Sequence, residues 1–313
     1  MNYDVIIIGG GPSGLTAGIY TSRARLKTLL IESFSIPPQA VLTDLIENYP
    51  GFVDGISGFE LMDKFKTQAE RFGLEFIASQ VTGIKEYKDN SLSGWRIDTE
   101  DKTYTALSVI IASGARPKKL AVPGEDRLTG KGVSYCATCD GPIFKDKIVS
   151  VIGGGDSAIE EALFLTKFVN KVMVIHRRSA LRAAKILEER ASINKKISFI
   201  WDSVVSEILG DTKVKAIKIK NVKTEKESEL NCDGVFIFVG YAPNTDFVKG
   251  LLELDENGYI ITDEDTDTLK PGIFACGDCR KKLLRQVVTA CGDGATAAFM
   301  CRRYIEELRG GVV

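Results

Sequence analysis

The sequence predicts an α/β protein in which one domain is inserted into another. A short β-branched strand, a glycine-rich turn and a helix follow one another twice, with the turns at residues 9–14 and 153–158. This order is typical of Rossmann-like dinucleotide-binding domains. The last segment carries no such turn, so it most simply completes the first domain. We therefore predict a discontinuous first domain, residues 1–116 and 244–313, and an inserted second domain, residues 117–243.

The composition indicates an ordinary globular protein. A chain of 313 residues can form two hydrophobic cores, and its net charge of −1 gives no electrostatic reason to bind nucleic acid or a membrane surface. No apolar run approaches the roughly 20 residues that span a bilayer. The N-terminus leads into a strand without a basic and then apolar signal peptide. We expect a cytoplasmic protein that binds neither nucleic acid nor membrane.

The first glycine-rich turn has the residues of a dinucleotide site. The strand Tyr3–Ile8 ends at Gly9, Gly11 and Gly14, which form G-x-G-x-x-G, and the next strand ends at Glu32. Such glycines let the backbone approach a pyrophosphate at a helix N-terminus, and the acid accepts hydrogen bonds from ribose hydroxyls. A plain tight turn is the alternative, but the complete series of elements favours a nucleotide.

The second turn differs from the first at the position of the acid. Gly153 begins G-x-G-x-x-A, and the offset that leads from Gly9 to Glu32 leads from Gly153 to His176. Arg177 and Arg178 follow, and Arg182 lies one helical turn further on. Arginine side chains suit a 2′-phosphate, so this site is predicted to prefer NADPH to NADH. The alternative is a solvated basic strand end, which the matching offset disfavours.

Two cysteines separated by two residues form the candidate redox site. Cys136 and Cys139 belong to a set of seven scattered cysteines, a number and spacing that do not indicate a secreted disulfide framework. Such a pair can close and reopen a disulfide. Asp140 is the nearest proton donor, because the single histidine is assigned to the nucleotide phosphate. The alternative for Asp140 is a helix or turn cap.

Zinc is the main alternative for this pair. Cys276-x-x-Cys279 would supply two more thiolates. That second pair follows a strand where a flavin ribityl acceptor is expected, so small buried residues near a cofactor are the preferred interpretation and no metal is predicted. Two nucleotide sites and one cysteine pair then predict an electron path from NADPH through a tightly held FAD to Cys136–Cys139.

Motifs along the whole chain resemble those of the low-molecular-weight bacterial thioredoxin reductases. They are GGGPSG (9–14), ENYPGF (47–52), ASGA (112–115), SYCATCDG (134–141), GGGDSA (153–158), HRRSALRA (176–183), FVGYAPNT (238–245) and GIFACGDCRKKLLRQVVTACGDGA (272–295). In this order they are highly specific. The resemblance implies reduction of thioredoxin by a homodimer.

The resemblance also implies a role for individual residues. FAD would be held by Gly9, Gly11, Pro12, Ser13, Gly14, Glu32, Gln39, Asn48, Gly277, Asp278, Arg285, Gln286 and Val287. NADPH would be held by Gly153, Gly155, Asp156, Ser157, His176, Arg177, Arg178 and Arg182. Cys136 and Cys139 would be the redox pair, with Asp140 as the acid.

One departure concerns the loop before Gln39. The family usually has Gly-Gly where this chain has Pro37-Pro38. Proline cannot adopt the glycine conformations and has no N–H to donate, so we expect the loop over the flavin to differ. Relatives that use ferredoxin lose the NADPH motifs, which are intact here.

Other functions remain open at this stage. A related flavoprotein could reduce another partner, such as a glutaredoxin-like or peroxidase-linked protein, or could use a different electron donor. A flavin-binding redox sensor without turnover is a third possibility, against which the complete set of motifs argues.

Overall fold

The structure is a computed structural model that describes residues 1–33, 38–43, 45–89 and 92–310. These residues divide into two compact units. The first unit comprises the described parts of Met1–Arg116 and Ala242–Val313, and the second comprises Pro117–Tyr241. The sequence places the return to the first unit after residue 243, two residues later than the structure does.

In both units strands and helices alternate at first, and a run of strands follows. The elements of the first pass are β1 (Tyr3–Ile8), α1 (Pro12–Arg23), β2 (Thr28–Glu32), α2 (Gly58–Arg71), β3 (Glu75–Ala78), β4 (Val81–Asp89), β5 (Leu92–Thr99), β6 (Thr103–Ile111) and β7 (Ala115–Pro117). The inserted segment contains α3 (Glu125–Leu128), β8 (Val133–Ser134), α4 (Ala137–Asp140), β9 (Ile148–Gly153), α5 (Asp156–Leu165), β10 (Lys171–Ile175), α6 (Lys185–Ile193), β11 (Ile197–Ile200), β12 (Ser203–Leu209), β13 (Ala216–Asn221), β14 (Glu227–Asn231) and β15 (Gly234–Phe238). The chain continues with β16 (Tyr241–Pro243), β17 (Ile273–Ala275) and α7 (Val287–Leu308). Short 3-10 helices lie at Gln39–Leu42, Gly141–Phe144, Asp246–Val248 and Gly277–Cys279.

The first unit is built on one mixed sheet. Among its described residues, the strand order is β3-β2-β1-β6-β5-β4, with β17 also beside β6. β1, β2, β3, β6 and β17 pair in parallel, whereas β4 and β5 add antiparallel pairs. Val5 and Ile7 pack in a core with α1 and α7, and the alternating Ile6 and Ile8 pack in a second core with Trp95. Burial on both faces explains why the last four residues of β1, from Val5 to Ile8, are all apolar.

The second unit contains two sheets. The strands β11-β10-β9-β15-β8 pair in parallel, and β12-β13-β14 form an antiparallel sheet. Val149, Val151 and Val174 face the core that α5 covers. The parallel strands end at one edge of the sheet, so the segments after β9 and β10 lie together there.

Two elements of the second unit differ from the sequence interpretation. β14 was not foreseen because its residues Glu227–Asn231 are mostly polar and exposed, as befits an edge strand. α6 was missed because it buries only Leu187 and Ala191, which is too few apolar positions for a clear helical period. The α/β class and the alternation of strands with helices are confirmed.

Among the described residues, no helix combines the length and the apolar character that crossing a membrane requires.

Candidate functional site

The turn between β1 and α1 leaves the helix N-terminus open. Gly9 has φ +113°, in the left-handed region that favours glycine. Gly11 precedes α1 and, having no side chain, makes no side-chain capping hydrogen bond. A Cβ added at Gly11 would meet nothing within 4 Å, whereas one at Gly14 would overlap the carbonyl oxygen of Gly9. The helix therefore packs closely on the strand while its free N–H groups point to a place that a phosphate can occupy.

The carboxyl group of Glu32 lies beside this turn. A Cβ added at Gly10 would stand 2.6 Å from Cδ and Oε1 of Glu32. Burial raises the pKa of Glu32, and the positive charge of Lys66 opposes that rise. The carboxylate is thus held where a ribose next to the pyrophosphate would donate its hydroxyls.

The turn between β9 and α5 has the same construction. Gly153 has φ +151°, and Gly155 precedes α5 without a side-chain cap. A Cβ added at Gly155 would meet nothing within 4 Å. A Cβ added at Gly154 would overlap the imidazole of His176, as one at Gly10 would overlap the carboxyl group in the first unit. His176 therefore occupies the place in the second unit that corresponds to the acid in the first.

His176 is buried among positive charges. It is 5% exposed, and its Nε2 has no hydrogen-bond partner among the described residues. Burial lowers the pKa of His176, and so do the charges of Arg182, Arg178 and Arg177, while a hydrogen bond with the backbone of Ala180 raises it. Burial and these charges favour the neutral form of the imidazole, and the three exposed guanidinium groups form an electropositive place suited to an anion.

Two hydrogen bonds hold the arginine loop against the second turn. The N–H of Arg182 donates to the carbonyl oxygen of Gly154 at 2.7 Å. Oδ1 of Asp156 accepts from the N–H of Ala184 at 2.7 Å. Ser157 is the second residue of α5 and is half-buried. The predicted residues of this site are therefore brought together around one helix N-terminus.

The segment after β17 brings a second group of predicted residues to the first turn. A Cβ added at Gly277 would overlap Oγ of Ser13, so these two residues are in close contact. Asp278 is half-buried, and its buried Oδ1 has no hydrogen-bond partner within the described chain. Burial raises the pKa of Asp278, Lys282 and Arg285 lower it, and Asp293 raises it. An unpartnered buried carboxyl oxygen fits a ligand that donates hydroxyl hydrogen bonds.

The start of α7 supplies the remaining predicted contacts of the first unit. The guanidinium of Arg285 lies 4.1 Å from the ring centroid of Tyr259. Gln286 caps α7 by a reciprocal pair of hydrogen bonds with Thr289, and its Oε1 accepts from Nδ2 of Asn48 at 3.1 Å. Val287 is the first residue of the helix.

The loop with the two prolines is only partly described. Gln39 begins the 3-10 helix Gln39–Leu42, directly after Pro38. Pro37 lies outside the described residues. The nearness of Gln39 to the flavin and the effect of the prolines on the loop stay predictions.

Cys136 and Cys139 form a disulfide with Cα atoms 5.4 Å apart, so the prediction of a disulfide-capable pair is confirmed. Sγ of Cys136 accepts from the N–H of Cys139 at 3.1 Å. The Oγ of Ser134 accepts from the N–H of Cys136 and donates to its carbonyl oxygen, both at 3.1 Å. Cys139 is exposed and Cys136 is half-buried. A thiolate on Cys136 would be stabilised by the N–H of Cys139.

Asp140 ends α4, one residue beyond the disulfide. Its N–H donates to the carbonyl oxygen of Cys136 at 3.2 Å. Its side chain makes no capping hydrogen bond to the 3-10 helix Gly141–Phe144 that follows. The structure therefore gives no support to the cap at that helix, and the role of Asp140 as the acid stays a prediction.

Four of the five other cysteines are buried, and Cys291 is half-buried. Cys276 and Cys279 are fully buried, and burial raises the pKa of both thiols, that of Cys279 to about 11. Burial also raises the pKa of Cys232 to about 11 and that of Cys301 to about 12. Within the described residues, no group of three or more histidine, cysteine, aspartate or glutamate side chains could hold a metal ion.

A buried carboxylate next to the redox pair was missed from the sequence. Glu125 is 1% exposed and accepts from the N–H groups of Leu120 and Ala121 at 2.9 and 2.6 Å. It also accepts from the hydroxyl of Tyr135 at 2.7 Å, directly before Cys136. No local sequence pattern indicates that a glutamate at this position is buried.

Known proteins match this chain over nearly its whole length. The family model of pyridine nucleotide-disulphide oxidoreductases matches residues 3–294. A thioredoxin reductase of Peptoclostridium litorale is 47% identical over 314 residues, covering 98% of each chain. One of Listeria innocua is 48% identical over 311 residues, covering 98% of this chain and 95% of the relative. The crystal structure of Lactococcus lactis thioredoxin reductase (FR conformation) matches with a TM-score of 0.94 and 48% identity, covering 97% of this chain and 99% of that chain.

The chain belongs to the pyridine nucleotide-disulphide oxidoreductase family. The predicted fold with two dinucleotide-binding domains, the class of NADPH-dependent flavoprotein disulfide oxidoreductases and the cofactors FAD and NADPH are thereby confirmed. The resemblance to the bacterial thioredoxin reductases is confirmed as well, because relatives of nearly equal length carry that name.

Proposed function

We propose that this chain reduces thioredoxin with electrons from NADPH, using FAD and the Cys136–Cys139 disulfide as its internal redox groups. The observation that carries the proposal is the occurrence of two corresponding nucleotide turns and an accessible disulfide in one chain. Glu32 lies beside the first turn, and His176 with its arginine neighbours lies beside the second. The two turns thus differ at the position that would face a free ribose 2′-hydroxyl in one nucleotide and a 2′-phosphate in the other.

The first unit is proposed to hold FAD. The open N-terminus of α1 after Gly11 suits the pyrophosphate, Glu32 the ribose, and the unpartnered Oδ1 of Asp278 the ribityl hydroxyls. When bound, FAD accepts two electrons as hydride from NADPH and can pass both to a disulfide. Asn48 and Gln286, which are hydrogen-bonded to each other, would help to fix the start of α7 at this site.

The second unit is proposed to hold NADPH. The N-terminus of α5 after Gly155 suits its pyrophosphate, and Asp156 fixes the loop that carries the arginines. Arg177 and Arg178 are exposed, so their guanidinium groups can donate to a 2′-phosphate without rearrangement of the core.

The disulfide is proposed to be the exit for electrons. In the reduced protein, one thiolate attacks the disulfide of thioredoxin and forms a mixed disulfide. The second thiolate then attacks that bond and releases the reduced partner, so two electrons leave as Cys136–Cys139 closes. Cys139 is the more exposed of the two residues and is proposed to be the one that a protein disulfide reaches. Asp140 would supply the proton for a leaving thiolate.

Anaerobic mixing tests this proposal. NADPH added to the yellow holoprotein should bleach the flavin absorbance, and oxidised thioredoxin added next should restore it. Glutaredoxin, a peroxidase-linked disulfide protein and reduced ferredoxin serve as alternative substrates and donor. Restoration by glutaredoxin but not by thioredoxin would contradict the proposed partner, and bleaching by ferredoxin but not by NADPH would contradict the proposed donor.

We further propose that the chain acts as a cytoplasmic homodimer. Support for a second copy comes from exposed apolar side chains of the first unit, among them Phe59 at 69%, Leu283 at 102% and Phe299 at 50% exposure. Contiguous exposed apolar groups commonly belong to protein interfaces, and these side chains are proposed to meet the second copy. Light scattering of the purified chain checks the mass of the dimer, and fractionation of cells checks the compartment.

The single histidine offers a direct test of the NADPH site. Because burial and three arginines lower its pKa, His176 in the free protein should titrate below the ordinary value of about 6.5. NADP⁺ should raise that pKa, because its 2′-phosphate offsets the arginine charges. The signals of this one imidazole can be followed by NMR as the pH is varied.

NAD⁺ is the matched control for that titration, since it lacks only the 2′-phosphate and should leave the pKa of His176 nearly unchanged. In the unfolded chain the imidazole binds its proton near pH 6.5. The free protein should therefore lose stability as the pH falls below that value. A histidine that titrates at or above 6.5 in the free protein would contradict this account.

A further inference from the structure

Asp293 of α7 organises the segment that follows β17. Its Oδ2 accepts from the N–H of Gly277 at 3.0 Å and from Nζ of Lys282 at 2.7 Å. Its Oδ1 lies 3.4 Å from NH1 of Arg280. The three charged side chains are 11–16% exposed, so this is a largely buried ion cluster. One carboxylate thus fixes three points between Gly277 and Lys282.

The neighbouring carboxylate of Asp278 is left without such a partner. Its Oδ1 is buried and makes no hydrogen bond to the described residues. Of the neighbouring charges, that of Lys282 lowers the pKa of Asp278 most. The Nζ of Lys282 nevertheless donates to Asp293 at 2.7 Å and to the carbonyl oxygen of Thr289 at 3.3 Å. The lysine is therefore near both carboxylates and is engaged by only one of them.

We propose that Asp293 is a positioning residue for flavin binding, because it engages Lys282 and so keeps the Asp278 carboxylate available for the ribityl hydroxyls of FAD. This inference rests on the proposed role of Asp278 in the first unit. A buried ammonium group without a partner is costly. If Asp293 is neutralised, Lys282 turns to Asp278, whose carboxyl group its charge already influences, and occupies the acceptor that the ligand needs.

Four variants separate this role from a merely structural one. They are Asp293→Asn, Lys282→Met, the double variant with both changes, and Asp278→Asn. The release of FAD from each purified holoprotein on dilution, followed by the fluorescence of the flavin, gives the dissociation constant. Lys281→Met is the matched control, because Lys281 is the exposed neighbour of Lys282 in the chain.

Asp293→Asn is expected to weaken FAD binding at least about 10-fold, which corresponds to about 1.4 kcal/mol. Lys282→Met and the control should each change it less than about 3-fold. The double variant should bind FAD nearly as well as Lys282→Met, because no lysine remains to occupy Asp278. A double variant as weak as Asp293→Asn would overturn the proposal, since the loss would then come from the freed Gly277 backbone.

Asp278→Asn distinguishes a failure of this inference from a failure of the proposed flavin site. If Asp278→Asn leaves FAD binding unchanged, Asp278 is not the acceptor and both fall. If it weakens FAD binding and Asp293→Asn does not, only the role of Asp293 is overturned. Should Asp293→Asn not accumulate as folded protein, the double variant carries the test, where retained FAD supports the proposal and lost FAD overturns it.

Discussion

Replacement of Cys136 by serine is expected to slow the reduction of thioredoxin at least about 1,000-fold, as is typical when a residue that forms the covalent intermediate is lost. The remaining thiol of Cys139 has lost its disulfide partner, so the reduced flavin has no disulfide within the chain to which it can pass two electrons. The nucleotide turns of both units are untouched by the change. NADPH should therefore still bleach the flavin, and the two rates can be measured separately by anaerobic stopped flow and by the insulin reduction that thioredoxin supports.

Cys232→Ser is the matched control, because Cys232 lies in the same unit but is buried and has a raised pKa. Its variant should keep thioredoxin reduction within a few fold of the parent. Full activity of Cys136→Ser would refute the role of the pair, and loss of flavin bleaching in that variant would show that the change reaches beyond the disulfide.

Replacement of both Arg177 and Arg178 by alanine is expected to lower kcat/KM for NADPH by about 100-fold or more. Hydrogen bonds to charged groups contribute about 1.5–3 kcal/mol each, and two are removed. NADH lacks the 2′-phosphate, so its kcat/KM should change little. Both side chains are exposed, and their loss leaves the core of the second unit intact. Steady-state rates with each nucleotide, at fixed ionic strength, measure the difference.

Arg127→Ala controls for the loss of positive charge from the same unit. NH1 of Arg127 donates to the carbonyl oxygens of Gly210 and Asp211, away from the arginine loop in sequence. This variant should treat NADPH and NADH alike. Equal losses for both nucleotides in the double variant would mean that the basic loop does not recognise the 2′-phosphate.

The parts of the fold that follow from local pattern were predictable from the sequence. Each nucleotide turn is contained in one strand–helix–strand unit, so the offset from Gly9 to Glu32 carries over to Gly153 and His176 without knowledge of the rest of the chain. Helix α7 was predictable for the same reason, because its apolar positions repeat at helical spacing. Strand β14 was not, because its pairing depends on a neighbouring strand and its own side chains are polar.

Contacts within the sites that join distant residues could not be predicted. Asp293 lies 16 residues from Gly277, and its position in a helix reveals nothing about the N–H it accepts. The burial of Glu125 depends on the path of Leu120 and Ala121 around it. Such pairings are set by tertiary packing. A carboxylate is tolerated in the interior because several donors hydrogen-bond to it.

The burial of four of the remaining cysteines gives the molecule a chemical selectivity of its own. A thiol with a pKa of about 11, such as that of Cys232 or Cys279, exists as thiolate in only about one molecule in ten thousand at pH 7. Since exchange requires a thiolate that can be reached, these sulfurs are insulated from incoming oxidised proteins. Disulfide exchange at Cys136–Cys139 can therefore proceed without drawing Cys232 or Cys279 into it.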